Sequence, residues 1–490
     1  MQLKRPVLVG GLGLSASLWL MNVVGHAPMG DGSGMLGLVA VGSGLWWLSQ
    51  KRGSGAIEIE PPLAIGRVDK ATVEAVIAKV EGCLEDLKAE LPEETLADAP
   101  IYTSIEKKRD AIAALRQKIE GSAEQEKVSL SIIGNKAVGK TELATKLSDF
   151  WPSEQSTFSE LTEVSGEDTL PPADTDLVLF VTAGDLTNSE LERLQALLRA
   201  GYRTQIVFNK QDQLAPLDRQ SVVQRIQTRV EELGVGVSAI AANPKAITVR
   251  RHQENGEIEE FTEQPEPQLK NLTNTLTHLA TKEVQQLVMT TTLRQAKALF
   301  IEAQQMLNAQ RRLKAMPTVE NMQWIAAGSA FASPLPSIDL LASTAINAQM
   351  IIDLGAVYGQ TFSLEQAKTA ASTLAELLVK LGLVELSTQA FGSLLKTHAA
   401  TYVAGGALQG ISAAYLTRMV GISLIDFFEE QSLLAPEKRK FAFSEMGDRL
   451  QVLFKAAKQT SALQSFFDQA LKHLPQLTQT KSNQTTPSAA

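Results

Sequence analysis

Cysteine is all but absent. Cys83 stands alone among 490 residues, in a charged and helix-patterned stretch, which excludes a disulfide within the chain and any cysteine-rich metal site, and fits a reducing compartment. Histidine is scarce too. The five present are scattered, with no H-E-x-x-H or comparable spacing, so the usual zinc signatures are missing. Positive charge is also short: 46 Lys and Arg stand against 54 Asp and Glu, a net charge of −8. Without a basic surplus, DNA and RNA are not expected partners. At 44% hydrophobic, the chain has enough apolar residues for two or three folded units.

Charge is missing altogether from two stretches near the start. Pro6 to Val24 is a run of nineteen uncharged residues, roughly 28 Å long as a helix against a ~30 Å bilayer core. Met35 to Gln50 is a shorter second run ending in Trp46 and Trp47, residues suited to a membrane interface. Lys4 and Arg5 precede the pair, and Lys51 and Arg52 follow it. The positive-inside rule then predicts a transmembrane hairpin over 1–52 with both ends in the cytoplasm. A signal peptide cleaved near Ala27 is the rival reading; Pro28, just after that cut, argues against it.

The chain is organised around Val128–Thr141, where an apolar strand runs into Gly134-Asn135-Lys136-Ala137-Val138-Gly139-Lys140-Thr141, a full match to G-x-x-x-x-G-K-[ST]. Gly134 and Gly139 free the backbone to turn, so successive N–H groups can face phosphate oxygens at the positive end of the helix that follows. Lys140 is placed to meet the β- and γ-phosphates, and the Thr141 hydroxyl to ligate Mg²⁺. A second strand, Thr204–Phe208, ends in Asn209-Lys210-Gln211-Asp212, an N-K-x-D sequence. The Asp212 carboxylate can accept from both N1–H and the exocyclic amine of guanine, which adenine cannot supply. Asn209 is expected to brace the phosphate loop, and Lys210 to lie along the base. The expected ligands are therefore GTP or GDP with Mg²⁺, which also argues for a cytoplasmic site.

Apolar strands at Val128–Ile133, Phe158–Val164, Leu177–Thr182, Gln205–Phe208 and Val235–Ile240 alternate with helical stretches, predicting an α/β domain with a mostly parallel sheet over 126–267. Asn255-Gly256 between two apolar runs predicts a β-hairpin appended to that sheet. Residues 53–125 read as a linker and two helices forming a stalk, a hairpin or a cover for the nucleotide domain. Further on, 268–319 reads as bridging helices, and 320–430 as an all-α bundle, favoured over further membrane insertion. Helices follow over 431–475, and a polar tail over 476–490 is expected to be disordered.

Through GNKAVGKT and NKQD, residues 126–250 resemble translation-factor-related GTPases of the Era/EngA type. Through Ser333-Pro-Leu-Pro-Ser-Ile-Asp339, Gln349–Asp353 and Tyr358-Gly359, residues 320–430 resemble the YcjF-type domain of unknown function. With Thr182-Ala-Gly-Asp185 and the N-terminal hairpin, the whole chain is similar to bacterial, notably cyanobacterial, membrane-associated GTPase-like proteins. The resemblance implies GTP binding and membrane association, and it makes Ala241 and Ala242 the counterpart of a segment that contacts the guanine oxygen. It also exposes a reduction: only 35 residues separate Lys140 from Asp176, where such proteins carry two switch segments. Glu163-Val-Ser-Gly166 stands where D-x-x-G is expected. That implies Glu163 as a second Mg²⁺ ligand, Gly166 as a γ-phosphate donor, Ser156 or Thr157 as the switch hydroxyl, and Glu167 beside the attacking water. A carboxylate at Glu167 would also repel the γ-phosphate, so hydrolysis should be slow or partner-dependent. The expected protein is multi-pass in a bacterial membrane, touches lipid and an unidentified protein, and couples GTP turnover to rearrangement of its helical domain. Whether it self-associates is open. The competing expectation is a GTP-stabilised membrane scaffold without turnover.

Overall fold

Strict alternation along one strand organises the α/β region: Leu177, Leu179 and Val181 pack into one apolar cluster, Val178 and Phe180 into another. A strand that is apolar on both faces has to be covered on both. The computed structural model describes residues 67–91, 100–122, 128–150, 158–163, 170–252, 258–332, 336–397, 406–434, 438–439, 441–459 and 462–482. The expected membrane hairpin over 1–52, the linker after it, Ser156, Thr157, Gly166, Glu167, the Asn255-Gly256 turn and residues 483–490 lie outside them.

Five strands form one parallel sheet in the order β2-β1-β3-β4-β5, with β1 at Val128–Gly134, β2 at Phe158–Glu163, β3 at Leu177–Thr182, β4 at Thr204–Phe208 and β5 at Gly236–Ala239. On one face lie α3 (Lys140–Phe150) and α6 (Lys270–Lys282), through Leu143, Leu147, Leu272 and Leu276. On the other lie α4 (Asn188–Arg199) and α5 (Pro216–Val230), through Leu194, Leu197, Val222 and Ile226. Crossover helices of this kind are what parallel strands require.

Two helices precede the sheet, α1 (Lys70–Glu90) and α2 (Pro100–Gly121). Arg116 of α2 forks onto Glu81 of α1 at 2.7 and 2.9 Å. Lys118 of α2 reaches Gln295 at 3.4 Å, and Val68 N–H donates to Gln286 at 3.0 Å, both partners lying on the helix Val284–Ala332. The hairpin strands β6 (Ile247–His252) and β7 (Ile258–Glu263) pair antiparallel, as a separate two-stranded sheet. This corrects the expectation that they extend the main sheet. After β5 the chain makes a single bridge, Ala241 to Gln268, rather than a ladder, and Ile247 stays half exposed.

The chain divides into two compact units. One holds the described residues up to Leu84 and Ile101–Ala303, the other Glu85–Pro100 and the described residues from Gln304 onward. The second is all helical: the later part of α7 (Val284–Ala332), then α8 (Pro336–Val357), α9 (Leu364–Lys380), α10 (Leu383–Thr397), α11 (Gly406–Ser432), α12 (Gly447–Gln459) and α13 (Ala462–Ser482). Their core gathers Met350, Leu374, Phe391, Leu424, Phe428 and Phe467. Arg312 bonds Glu429 through Nε at 2.8 Å and Nη2 at 2.9 Å, and Tyr358 Oη donates to the same carboxylate at 3.1 Å. Arg311 Nε reaches Glu90 at 2.9 Å.

Among the described residues one helix, Ala407–Ser432, is long and apolar enough to cross a membrane, but 78% of its apolar window is buried within the protein. Two boundaries differ from expectation. The helix α7 continues through Pro317 and past residue 320 to Ala332, and α13 runs to Ser482, into the segment expected to be a disordered tail.

Candidate nucleotide site

Parallel strands place their carboxyl ends, and the loops leaving them, along one edge of the sheet, where α/β proteins bind ligands. β1 ends at Gly134, whose role differs from that expected of it. A Cβ there would lie 2.3 Å from the Val181 carbonyl oxygen, so glycine is required by the close approach of β3. Left-handed backbone is instead used at Gly139, φ +90°, where a Cβ would also meet Asn209 Nδ2 at 2.4 Å. Between them, Asn135, Lys136 and Ala137 are at least partly exposed, while Val138 is buried. The loop then enters α3, with Leu143 N–H donating to Gly139 O at 3.0 Å. Lys140 Nζ folds back onto the Asn135 carbonyl at 2.9 Å. The Thr141 hydroxyl donates to Glu163 Oε2 at 2.9 Å.

Parallel pairing of β2 with β1 delivers that carboxylate, Ile132 lying opposite Glu163. A hydroxyl and a carboxylate thus meet at the first turn of α3, beside the loop. This hard-oxygen donor pair suits Mg²⁺, which commonly takes one or two protein ligands and fills its shell from phosphate and water.

The second motif is tied to the first by buried bonds. Asn209, 2% exposed, donates from Nδ2 to the Val138 carbonyl at 2.9 Å, while its Oδ1 accepts from Lys210 N–H at 2.8 Å and Ala242 N–H at 3.0 Å. One amide therefore joins the phosphate loop, its own turn and the 241–245 loop. Lys210 Nζ donates to Ala137 O at 2.6 Å. Among the described residues, the two non-glycines with positive φ are these same partners, Ala137 at 62° and Lys210 at 63°. Such backbone tends to gather where a ligand is clamped.

Asp212 carries the most informative geometry. Its Oδ2 accepts from Lys245 N–H at 2.9 Å; its Oδ1 is buried with no hydrogen-bond partner among the described residues. A buried, unpaired carboxylate oxygen is costly unless something donates to it. Ala241 and Ala242 are both fully buried, and Ala241 is engaged through its backbone with Gln268.

The fold thus brings together the phosphate-loop residues Gly134 to Thr141, then Glu163, Asn209, Lys210, Asp212, Ala241 and Ala242. Glu167 is outside the described residues. Missed by sequence reasoning were Lys245, which acts through its backbone, and Gln264 and Gln268, whose spacing carries no motif; the only signal was the hairpin that returns the chain to this loop.

Residues 294–456 match the family model of DUF697, a domain of unknown function. The match begins within α7, before the expected boundary at 320, and reaches into α12. No curated protein matches the chain.

Proposed function

We propose that this chain is a membrane-associated guanine-nucleotide-binding protein that hydrolyses GTP slowly, its helical region being a YcjF-type form of the DUF697 domain. The observation that carries the guanine assignment is the orphaned Asp212 Oδ1 beside an Oδ2 already fixed by Lys245 N–H. Guanine brings two donors to such a carboxylate. Adenine turns a ring-nitrogen acceptor toward it and leaves it unpaired.

On the phosphate side, the backbone of 135–139 and the N-terminus of α3 receive the anionic chain. The Lys140 ammonium, now on the Asn135 carbonyl, is within a side-chain rotation of that chain and would neutralise charge on the β- and γ-oxygens. Thr141 and Glu163 would hold Mg²⁺, which supplies further neutralisation of phosphate charge. A single carboxylate at the end of β2 and a shortened switch region support slow intrinsic turnover. Nucleotide state would bias the helical region, and the apolar segments before residue 52 would hold the chain on lipid.

Direct titration with GDP and ADP tests the reading: guanine should be preferred by at least about 10². In Asp212→Asn the amide can donate to xanthine's carbonyl and loses the guanine amine contact, so preference should move toward xanthine nucleotides. Equal affinity for GDP and ADP in the parent, or unchanged GDP affinity in Asp212→Asn, overturns the assignment. Phosphate release no greater than that of Lys140→Ala, with lipid present, would replace turnover by the scaffold reading.

A further inference from the structure

The 241–245 loop is also held by residues that belong to neither motif. Ala241 N–H donates to Gln268 O at 3.2 Å, and Gln268 N–H returns to Ala241 O at 2.8 Å. Gln268 Oε1 accepts from Gln211 Nε2 at 3.0 Å, and Gln211 is the residue just before Asp212. Four residues earlier, Gln264 Nε2 donates to Asn243 Oδ1 at 3.2 Å and to the Pro244 carbonyl. The segment leaving β7 therefore grips the 241–245 loop at two points and the Asp212 turn at one. Lys245, at the end of that loop, fixes Asp212 Oδ2.

Hydrogen bonds weaken steeply once donor and acceptor lose alignment. A carboxylate that reads two donors on a flat base is especially sensitive to small rotations. Resting on the guanine assignment above, we infer that Gln264 and Gln268 are positioning residues for base selection: they hold the 241–245 loop so that Lys245 N–H keeps Asp212 aimed at the purine edge. Their bonds are to the loop and turn, so their effect falls on discrimination between bases rather than on the hold over phosphate. The hairpin β6–β7 is then the arm that carries this clamp.

The two glutamines use opposite halves of their amides, and this makes the test sharp. Gln264 acts as a donor, so Gln264→Glu would set a carboxylate against two oxygens. Gln268 acts as an acceptor through its side chain, so Gln268→Glu retains the bond from Gln211 while Gln268→Leu removes it. The full chain is titrated with GDP and with IDP, whose base lacks the 2-amino group, and with Mg²⁺-pyrophosphate as a probe of the phosphate half.

Gln264→Glu should weaken GDP by about tenfold and narrow the GDP-to-IDP ratio, with pyrophosphate binding unchanged. Gln268→Leu should narrow the ratio, and Gln268→Glu should match the parent. Should Gln264→Glu fail to fold, Gln264→Ala, which deletes the donor without adding charge, carries the same comparison with a smaller shift. A parent with guanine preference whose ratio is untouched by Gln264→Glu or Gln264→Ala overturns this inference alone. The same holds if GDP, IDP and pyrophosphate weaken together. A parent that binds no guanine nucleotide overturns the guanine reading as well.

Discussion

At the scale of single residues, two glycines of one loop do different work. Gly139 is in the left-handed region and its absent side chain leaves room for Asn209 Nδ2. Gly139→Ala should therefore displace the amide that joins the phosphate loop to the Asp212 turn. We expect a loss of about 1–3 kcal/mol in stability and at least about a tenfold loss in nucleotide affinity; urea unfolding and GDP titration measure the two. Asp176, 6% exposed just before β3, makes a prediction about pH. Burial pushes its carboxyl above the ordinary range, against the opposing effects of the Ser129 N–H, Thr291, Lys118 and Arg294. The folded state thus holds this proton more tightly than the unfolded chain, so the group costs stability as pH rises from about 4 through its folded value. Asp176→Asn should match the parent near that lower limit and gain on it toward pH 7 in thermal unfolding. A gap that stays constant with pH would refute this. The bracing contact of Asn209 on the Val138 carbonyl could be read from the sequence because that side chain sits at a fixed offset in a motif. Lys245 could not, because it contributes only a backbone N–H, and Gln264 and Gln268 sit in a loop where glutamine is unremarkable by spacing.

At the scale of elements, β2 carries the carboxylate on which the proposed hydrolysis depends. Its parallel register with β1 sets Glu163 against the Thr141 hydroxyl. Glu163→Ala should lower GTP turnover and weaken its Mg²⁺ dependence while GDP binding persists; turnover equal to the parent's would remove Glu163 from the site. The strands β1, β3 and β4 were legible as short, largely apolar runs, whereas β2, with Ser159, Glu160, Thr162 and Glu163, is mostly polar. The hairpin's pairing was legible too, from the Asn255-Gly256 turn, but its detachment was not, because nothing in local periodicity says which edge a strand joins. Continuity of α7 was hidden by Pro317, a residue that costs a helix interior about 3 kcal/mol. Ala315 and Val319 on either side of it are fully buried in the helical core, and that packing outweighs the local penalty.

At the scale of the whole molecule, residues 294–456, a third of the chain, match a domain of unknown function. The Lys/Arg pairs that flank residues 6–50 carry the membrane assignment. A chain starting at Gly53 should wash from membranes at high salt, whereas the full chain should stay. If the shortened chain also stays, the helical region is a second anchor, α11 being the candidate. One further consequence follows from the pairing of Glu90 with Arg311, partners 221 positions apart. A ribosome completes the whole α/β region between them, so Glu90 must wait through that interval before its partner exists. The helical unit can therefore close only late in synthesis. Chains arrested before residue 311 should show protease-sensitive 85–90 beside an already resistant sheet, and chains released in full should protect both.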